Sequence, residues 1–190
     1  MTLDSPTRLS PNTIALHWIV ALMMIGLLAV GVYMTENGVY ALYPWHKSLG
    51  VLIALFVVLR VAWRMLNGWP KAVGDYTSIE KRLAKIVHWV LIVGTVLMPI
   101  SGVMMSGMGG HGVSFFNLEL IAPNPDPANP QEVLPLNATL AQIGHLVHGW
   151  VGYLLIGAIV LHLVGALKHH LIDRDGTLRR MLGNEVEVTS

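Results

Sequence analysis

Four long apolar segments dominate this sequence and most constrain its fold. They run from about Asn12 to Met34, from His46 to Leu66, from Leu83 to Ser106 and from Thr139 to Leu171. A helix needs about 20 apolar residues to cross the hydrocarbon core of a bilayer, and each segment reaches that length. Backbone groups in lipid must be satisfied within the segment, and the alternation typical of strands is absent. We therefore predict four membrane-spanning helices.

The composition supports an integral membrane protein. Charged residues make up 12% of the chain, against about 25% in soluble domains. There is no cysteine, which excludes disulfides, iron–sulfur clusters and covalently attached c-type haem. The net charge is +1 and no basic run is present, so we expect no nucleic-acid partner. The sequence predicts one all-α domain over residues 1–190, a four-helix bundle surrounded by membrane lipid.

The basic residues predict the orientation of the bundle. Every one except Lys47 lies before the first segment, around the second loop or at the end of the fourth segment and beyond it. The positive-inside rule then places both termini in the cytoplasm. The loop over residues 107–138 is expected on the outer side of the membrane. Its segment Phe115–Leu120 could lie on the membrane surface as a short lid or form part of an exposed connector.

The histidines fall at matching depths in these segments. His148 and His162 are 14 residues apart in the fourth segment, which corresponds to about 21 Å of helical rise and nearly the same azimuth. His46 opens the second segment at the depth of His148. His17 and His88 open the first and third segments, and either could face His162 by depth alone. The sequence therefore predicts one imidazole pair near each membrane face.

Paired imidazoles without nearby carboxylates indicate haem. Two imidazoles on opposite sides of a haem iron need no cysteine and suit apolar walls. Six glycines near these histidines would leave room for a flat macrocycle or would serve helix packing: Gly26, Gly31, Gly149, Gly152, Gly157 and Gly165. A metal-ion transporter would normally add intramembrane Asp or Glu, and the cores of these spans contain none. Hydrogen-bonded interfacial histidines remain the simplest alternative at any single position. We predict two b-type haems.

The joint spacing of several motifs resembles the bacterial cytochrome b561 family, over roughly Arg8 to Leu182. The matching motifs are Leu16-His17-Trp18, Trp45-His46-Lys47-Ser48-Leu49-Gly50, Val57-Val58-Leu59-Arg60 with Arg64, His88, His148 with His162, His169-His170 and Gly176-Thr177-Leu178-Arg179-Arg180-Met181. The resemblance implies a four-helix, di-haem b protein of the bacterial inner membrane that exchanges electrons with quinone.

The same resemblance implies roles for individual residues. His17 and His162 would ligate the cytoplasmic-side haem, and His46 and His148 the periplasmic-side haem. His88 and His169 match positions associated with quinone or with proton supply. Arg60 and Arg64 are candidates for binding haem propionates or a quinone carbonyl, although both could be snorkelling anchors.

The family group that this sequence resembles most is that of the superoxide oxidases. The resemblance implies an enzyme, a superoxide:quinone oxidoreductase, that takes electrons from superoxide outside and passes them to ubiquinone without an obligate protein partner. Lys47, beside His46, is the basic residue that could attract the anion, and His111 is a weaker candidate. Four acidic residues on the same side oppose this: Glu36, Glu119, Asp126 and Glu132. The alternative is a cytochrome b subunit that relays electrons between a partner dehydrogenase or hydrogenase and quinone.

Overall fold

Four long helices form the body of the protein. The computed structural model describes residues 3–70 and 72–187, so the predicted basic loop residue Lys71 lies outside the described residues. The helices are α1 (Pro11–Asn37), α2 (Tyr43–Asn67), α3 (Ser78–Met108) and α4 (Ala138–Leu171). A 3₁₀ turn (Tyr40–Leu42) precedes α2, and the short helix α5 (Thr177–Met181) follows α4. The four long helices are each long and apolar enough to cross a membrane.

Capping residues define where the helices begin and end. The Ser10 hydroxyl accepts a hydrogen bond from the backbone of Thr13 at the start of α1, and Gly38 ends that helix with a φ of +64°. A capping box between Thr77 and Glu80 starts α3 at Ser78, ahead of the predicted apolar segment. The polar first turn of α3 therefore extends beyond the apolar segment.

Helices α3 and α4 approach each other most closely because glycines lie at their interface. A Cβ atom on Gly144 would lie 2.6 Å from the backbone nitrogen of Met105, and one on Gly94 would lie 2.6 Å from Cδ2 of Leu155. Small residues allow such close backbone approach between membrane helices. Gly152 of α4 also packs in the bundle, since a Cβ there would contact Met98 and Leu28.

The bundle interior is small and apolar. A cluster of buried side chains joins all four long helices: Val20, Met24, Leu27, Leu28, Ile53, Val57, Met98 and Leu155. Many large apolar side chains lie on the outer surface instead, including Leu22, Val58 and Leu161. This distribution suits helices whose outer faces contact lipid rather than water.

The prediction of an all-α fold is wrong in one loop. Strands β1 (Val113–Phe115) and β2 (Leu118–Ile121) pair antiparallel in the connection between α3 and α4. The hairpin packs against the start of α2, where the Ser48 hydroxyl accepts a hydrogen bond from the Phe116 backbone and Trp45 meets the Phe116 ring edge to face at 6.0 Å. Tertiary contacts with α2 thus order the segment that is expected from the sequence to form a surface lid or part of an exposed connector. We call this end of the bundle the loop end.

The described N-terminal and C-terminal segments lie together at the opposite end, which we call the terminal end. The backbone of Val186 donates to the Thr7 carbonyl, and Arg180 donates to the Pro6 carbonyl at 2.9 Å. The Trp18 indole in turn donates to the Met181 carbonyl at 3.0 Å. These bonds hold the N- and C-terminal segments under the bundle, close to His17.

Candidate functional site

Two histidines from different helices face each other at the loop end. The His46 ring on α2 and the His148 ring on α4 have centroids 6.2 Å apart, and their planes cross at 82°. Both residues are partly buried. We call His46 and His148 the loop-end pair.

The two rings of the loop-end pair have different surroundings. Nδ1 of His148 lies 3.0 Å from the Met98 carbonyl oxygen and 3.2 Å from the Ser101 hydroxyl, both on α3. Nδ1 of His46 is buried and has no hydrogen-bond partner among the described residues. Glycines lie against both rings, because a Cβ on Gly31 would be 3.3 Å from His46 Cε1 and one on Gly102 would be 3.1 Å from His148 Cε1.

Three histidines meet near the terminal end, and we call them the terminal-end group. The centroids of His17 on α1 and His162 on α4 are 6.4 Å apart, with an interplanar angle of 56°. His88 on α3 lies closer to His162, with centroids 5.2 Å apart. The structure therefore brings both predicted candidates for the His162 partner to the same place.

Arg60 and Arg64 differ in what they contact. Nη2 of Arg60 lies 3.3 Å from Nδ1 of His17 and is partly buried inside the bundle. Arg64 forms an ion pair with Asp4 at 3.3 Å and also donates to Thr13 and to the Gly68 carbonyl. Its contacts anchor the N-terminal segment, which leaves Arg60 as the arginine facing the histidines.

The donor set at both levels fits haem. Two imidazoles on opposite sides of one metal ion, each about 2 Å from it, have ring centroids roughly 6 Å apart. The 6.2 Å and 6.4 Å separations match that value. No Asp or Glu in the described part of the chain bonds to these five histidines, whereas a structural zinc ion needs four protein ligands. Haem brings four equatorial nitrogens of its own, and the unpartnered Nδ1 of His46 shows that the loop-end pair is not a closed hydrogen-bonded network.

His169 lies apart from the terminal-end group, in a polar cluster after α4. Its Nδ1 is 2.7 Å from the Asp173 carboxylate, and its ring centroid is 4.4 Å from that of Tyr76. The Tyr76 hydroxyl makes a short hydrogen bond to Asp175. Burial and this hydrogen bond raise the pKa of the Tyr76 hydroxyl. Burial acts to raise the pKa of Asp175 as well, but hydrogen bonds from Tyr76 and Thr177 outweigh it and the pKa is lowered. At neutral pH the tyrosine is therefore the donor and the aspartate the charged acceptor.

Lys47 lies at the loop end and holds the α3–α4 connection in place. Its ammonium group donates to the backbone carbonyls of His111 at 3.1 Å and Gly112 at 3.2 Å. Both acceptors are uncharged, and Lys47 forms no ion pair with the acidic residues that the structure describes, so its positive charge is held in position without being neutralised there. His111 contributes its carbonyl to this contact.

Sequence reasoning missed three contributors to the site. Ser101 and Gly102 on α3 contact His148, and Asp4 secures Arg64. The segment Pro99-Ile100-Ser101-Gly102 carried a signal, since a serine and a glycine interrupt an apolar span at the depth of His148. Nothing in the sequence joins Asp4 to a residue 60 positions away.

The fold and the paired histidines define a class, that of helical membrane proteins built to hold haem between their helices. Comparison with known proteins gives the family. The model of the prokaryotic cytochrome b561 family matches residues 8–184. The chain is also 30% identical over 185 residues to cytochrome b561 homolog 2 of Escherichia coli (strain K12), which covers 95% of this chain and 94% of that protein. The chain belongs to the prokaryotic cytochrome b561 family, whose members are multi-pass membrane cytochromes that bind b-type haem and transfer electrons.

Proposed function

We propose that this cytochrome is a di-haem superoxide:ubiquinone oxidoreductase. The observation that carries the proposal is the presence of two histidine pairs at the two ends of one bundle, each with the ring separation that a shared metal requires. Two superoxide anions would each lose one electron and leave as dioxygen. One ubiquinone would gain those two electrons and two protons and leave as ubiquinol.

Four histidines would hold the haems. His46 and His148 fit the loop-end haem, and His17 and His162 fit the terminal-end haem. The His88 and His162 rings are 5.2 Å apart, closer than the roughly 6 Å that two imidazoles would need to share one metal ion, so we do not propose His88 as a haem ligand. When bound, the haems supply one-electron redox chemistry between the two membrane faces. Arg60, which faces His17, would offer its guanidinium to a haem propionate.

Lys47 would favour the approach of superoxide to the loop end. The loop end faces the periplasm if the basic terminal end faces the cytoplasm. Lys47 is next to His46 in sequence, and its ammonium group is held by two neutral carbonyls. A fixed positive charge at a narrow entrance raises the local concentration of an anion and speeds its capture.

The terminal end would serve quinone reduction, which consumes protons. His88 is exposed beside His162, where an imidazole nitrogen could pass a proton to a bound quinone. His169 donates Nδ1–H to Asp173 and lies at the cytoplasmic mouth in this orientation. These two histidines are the proposed proton carriers, and neither is needed to hold iron.

Stopped-flow mixing of the purified protein tests the proposal. We expect superoxide alone to reduce the haems and ubiquinone to reoxidise them. Lys47→Gln should slow reduction about tenfold and weaken its dependence on ionic strength, because it removes a steering charge. Lys85→Gln, which removes an exposed lysine at the other end, should leave the reduction rate unchanged.

Three results would separate the proposal from its competitors. If a pyridine haemochrome assay finds no haem in the purified protein, the whole proposed function is contradicted. If superoxide does not reduce the haems but a dehydrogenase or hydrogenase does, the protein is a subunit that relays electrons from such a partner. Equal rates for Lys47→Gln and the parent protein would leave the electron path intact and exclude Lys47 from superoxide capture.

A further inference from the structure

Helix α3 supplies no ligand to the loop-end pair in the proposal above, yet it makes the polar contacts of His148. The Met98 carbonyl oxygen and the Ser101 hydroxyl both lie within hydrogen-bond distance of His148 Nδ1. A carbonyl can only accept, so Nδ1 of His148 carries the hydrogen. The other ring nitrogen, Nε2, is then the one with a free lone pair.

Ser101 is placed to act on this hydrogen bond. It is 2% exposed, and its hydroxyl donates to the carbonyls of Leu97 at 2.7 Å and Met98 at 3.0 Å. Because the hydroxyl hydrogen is committed to a carbonyl, the oxygen can accept from His148 Nδ1–H. The imidazole hydrogen is thus shared between two acceptors on one helical turn.

Steric contacts hold the ring against that turn. Gly102 lies under His148, where an added Cβ would be 3.1 Å from Cε1 and 3.3 Å from Nδ1. One turn before His148, Gly144 packs directly on the backbone of α3. The imidazole therefore has little freedom to rotate about its bond to the chain, and its plane lies 82° from that of His46.

We propose that α3, through the Met98 carbonyl, Ser101 and Gly102, fixes the ring plane and the electron-donating strength of His148 and so sets the redox properties of the loop-end site. This inference rests on the proposed function, because it assumes that His148 ligates haem. A hydrogen bond from the far nitrogen of an axial imidazole makes the ligand a stronger donor, which stabilises the oxidised metal and lowers its potential. Among the described residues, Nδ1 of His46 has no such partner, so His148 is the tuned ligand of the pair.

The ring planes offer a readout that is independent of activity. Axial imidazoles whose planes cross near a right angle donate into both metal π orbitals and leave them nearly equal in energy. Such a site gives a highly anisotropic low-spin EPR signal. Rotating His148 would separate the orbital energies and move the signal.

The experiment compares three variants of the full-length protein with two haems loaded. Ser101→Ala removes one acceptor, and Gly102→Ala pushes the ring away from Met98. Both should raise the midpoint potential of the loop-end haem and shift its EPR signal, with Gly102→Ala having the larger effect. The terminal-end haem should be unchanged in both. Ser106→Ala is the matched control, because this buried hydroxyl on the same helix binds the Gly112 carbonyl instead, and it should behave like the parent protein.

The outcomes distinguish this inference from the proposed function. If the parent protein holds two haems and both variants keep its loop-end potential and EPR signal, α3 has no positioning role and the proposed function stands. If the parent protein binds no haem at the loop end, both the proposed function and this inference are contradicted. Loss of only the loop-end haem in Gly102→Ala, with Ser106→Ala intact, would support positioning by α3.

Discussion

At the scale of single residues, the structure distinguishes His17 from His88 as the partner of His162. His17 and His88 both lie beside His162, but only the separation from His17 leaves room for a metal ion between the rings. His17→Ala should therefore lose the terminal-end haem, while His88→Ala should keep it and lose only rate in quinone reduction. Haem content by pyridine haemochrome, together with the spectrum of each haem, measures the difference.

Two further alanine variants control this prediction on α4. His148→Ala should lose the loop-end haem, whereas His145→Ala should keep both haems, because His145 is exposed on the same helix and lies outside the loop-end pair. Retention of both haems in His17→Ala, or loss of one in His88→Ala, would exchange the roles assigned to the two residues.

The sequence predicts the two histidines on α4 but does not predict which histidine pairs with His162. A spacing of 14 residues places His148 and His162 at two depths on one helix face, and that inference needs no tertiary structure. Tertiary structure is needed to decide which histidine pairs with His162, because His17 and His88 lie at equal depth at the start of helices that run in the same direction. Arg60 and Arg64 are likewise one helical turn apart on α2, and only the ion pair between Arg64 and Asp4 separates their roles.

At the scale of elements, the Asp4 carboxylate helps to dock the N-terminal segment over residues 3–10 under the bundle. Asp4 accepts hydrogen bonds from the Ser10 backbone at 2.8 Å and the Thr13 hydroxyl at 2.9 Å, and it pairs with Arg64. Burial acts to raise the pKa of Asp4, but the hydrogen bonds from Ser10 and Thr13 prevail and the pKa is lowered. The charged carboxylate of Asp4 thus binds its partners more strongly than the protonated carboxyl group would.

The sign of the pH dependence follows from this lowered pKa. The docking free energy that Asp4 contributes is fully present above the pKa of about 4 of an unfolded aspartate, and it is lost as the pH falls through the lower folded value. Hydrogen exchange of residues 5–9, corrected for the intrinsic rate at each pH, should be constant from pH 7 to pH 5 and accelerate only at lower pH. Asp4→Asn should show the faster exchange at pH 7, with a loss of about 1–3 kcal/mol of local protection.

An exposed carboxylate provides the comparison for Asp4. Asp75 pairs with Lys81 at the surface, where ion pairs contribute little. Asp75→Asn should leave exchange of residues 5–9 unchanged at every pH. Protection in Asp4→Asn equal to that of the parent protein would mean that the terminal contacts with Pro6 and Thr7 dock the segment without the carboxylate.

Elements differ in how far the sequence predicts them. The four long helices follow from apolar length, since a membrane leaves the backbone few alternatives. The β1–β2 hairpin does not, because its strands are three and four residues long and depend on Ser48 and Trp45 in a distant helix. The turn also places Phe116 at a φ of +51°, a conformation that a phenylalanine does not predict.

At the scale of the whole molecule, charge separates the two ends of the bundle. The basic side chains Arg8, Lys85 and Arg179 lie at the terminal end, and Lys47 is the basic residue of the loop end. By the positive-inside rule this asymmetry supports the proposed orientation, with the basic end in the cytoplasm. The proposed reaction depends on this orientation, because superoxide must meet Lys47 outside and protons must reach His88 and His169 from inside.

The absence of cysteine from the sequence makes the orientation directly measurable. Ala128 and Ala72 are exposed residues in the connections at the loop end and the terminal end, so Ala128→Cys and Ala72→Cys introduce the same thiol on opposite sides. A membrane-impermeant maleimide added to intact spheroplasts should label Ala128→Cys and leave Ala72→Cys unlabelled until the membrane is opened. The unsubstituted protein should take up no label in either state. Labelling of Ala72→Cys in intact spheroplasts would show that the bundle has the opposite orientation. Lys47 would then face the cytoplasm, which would contradict the proposed capture of superoxide in the periplasm.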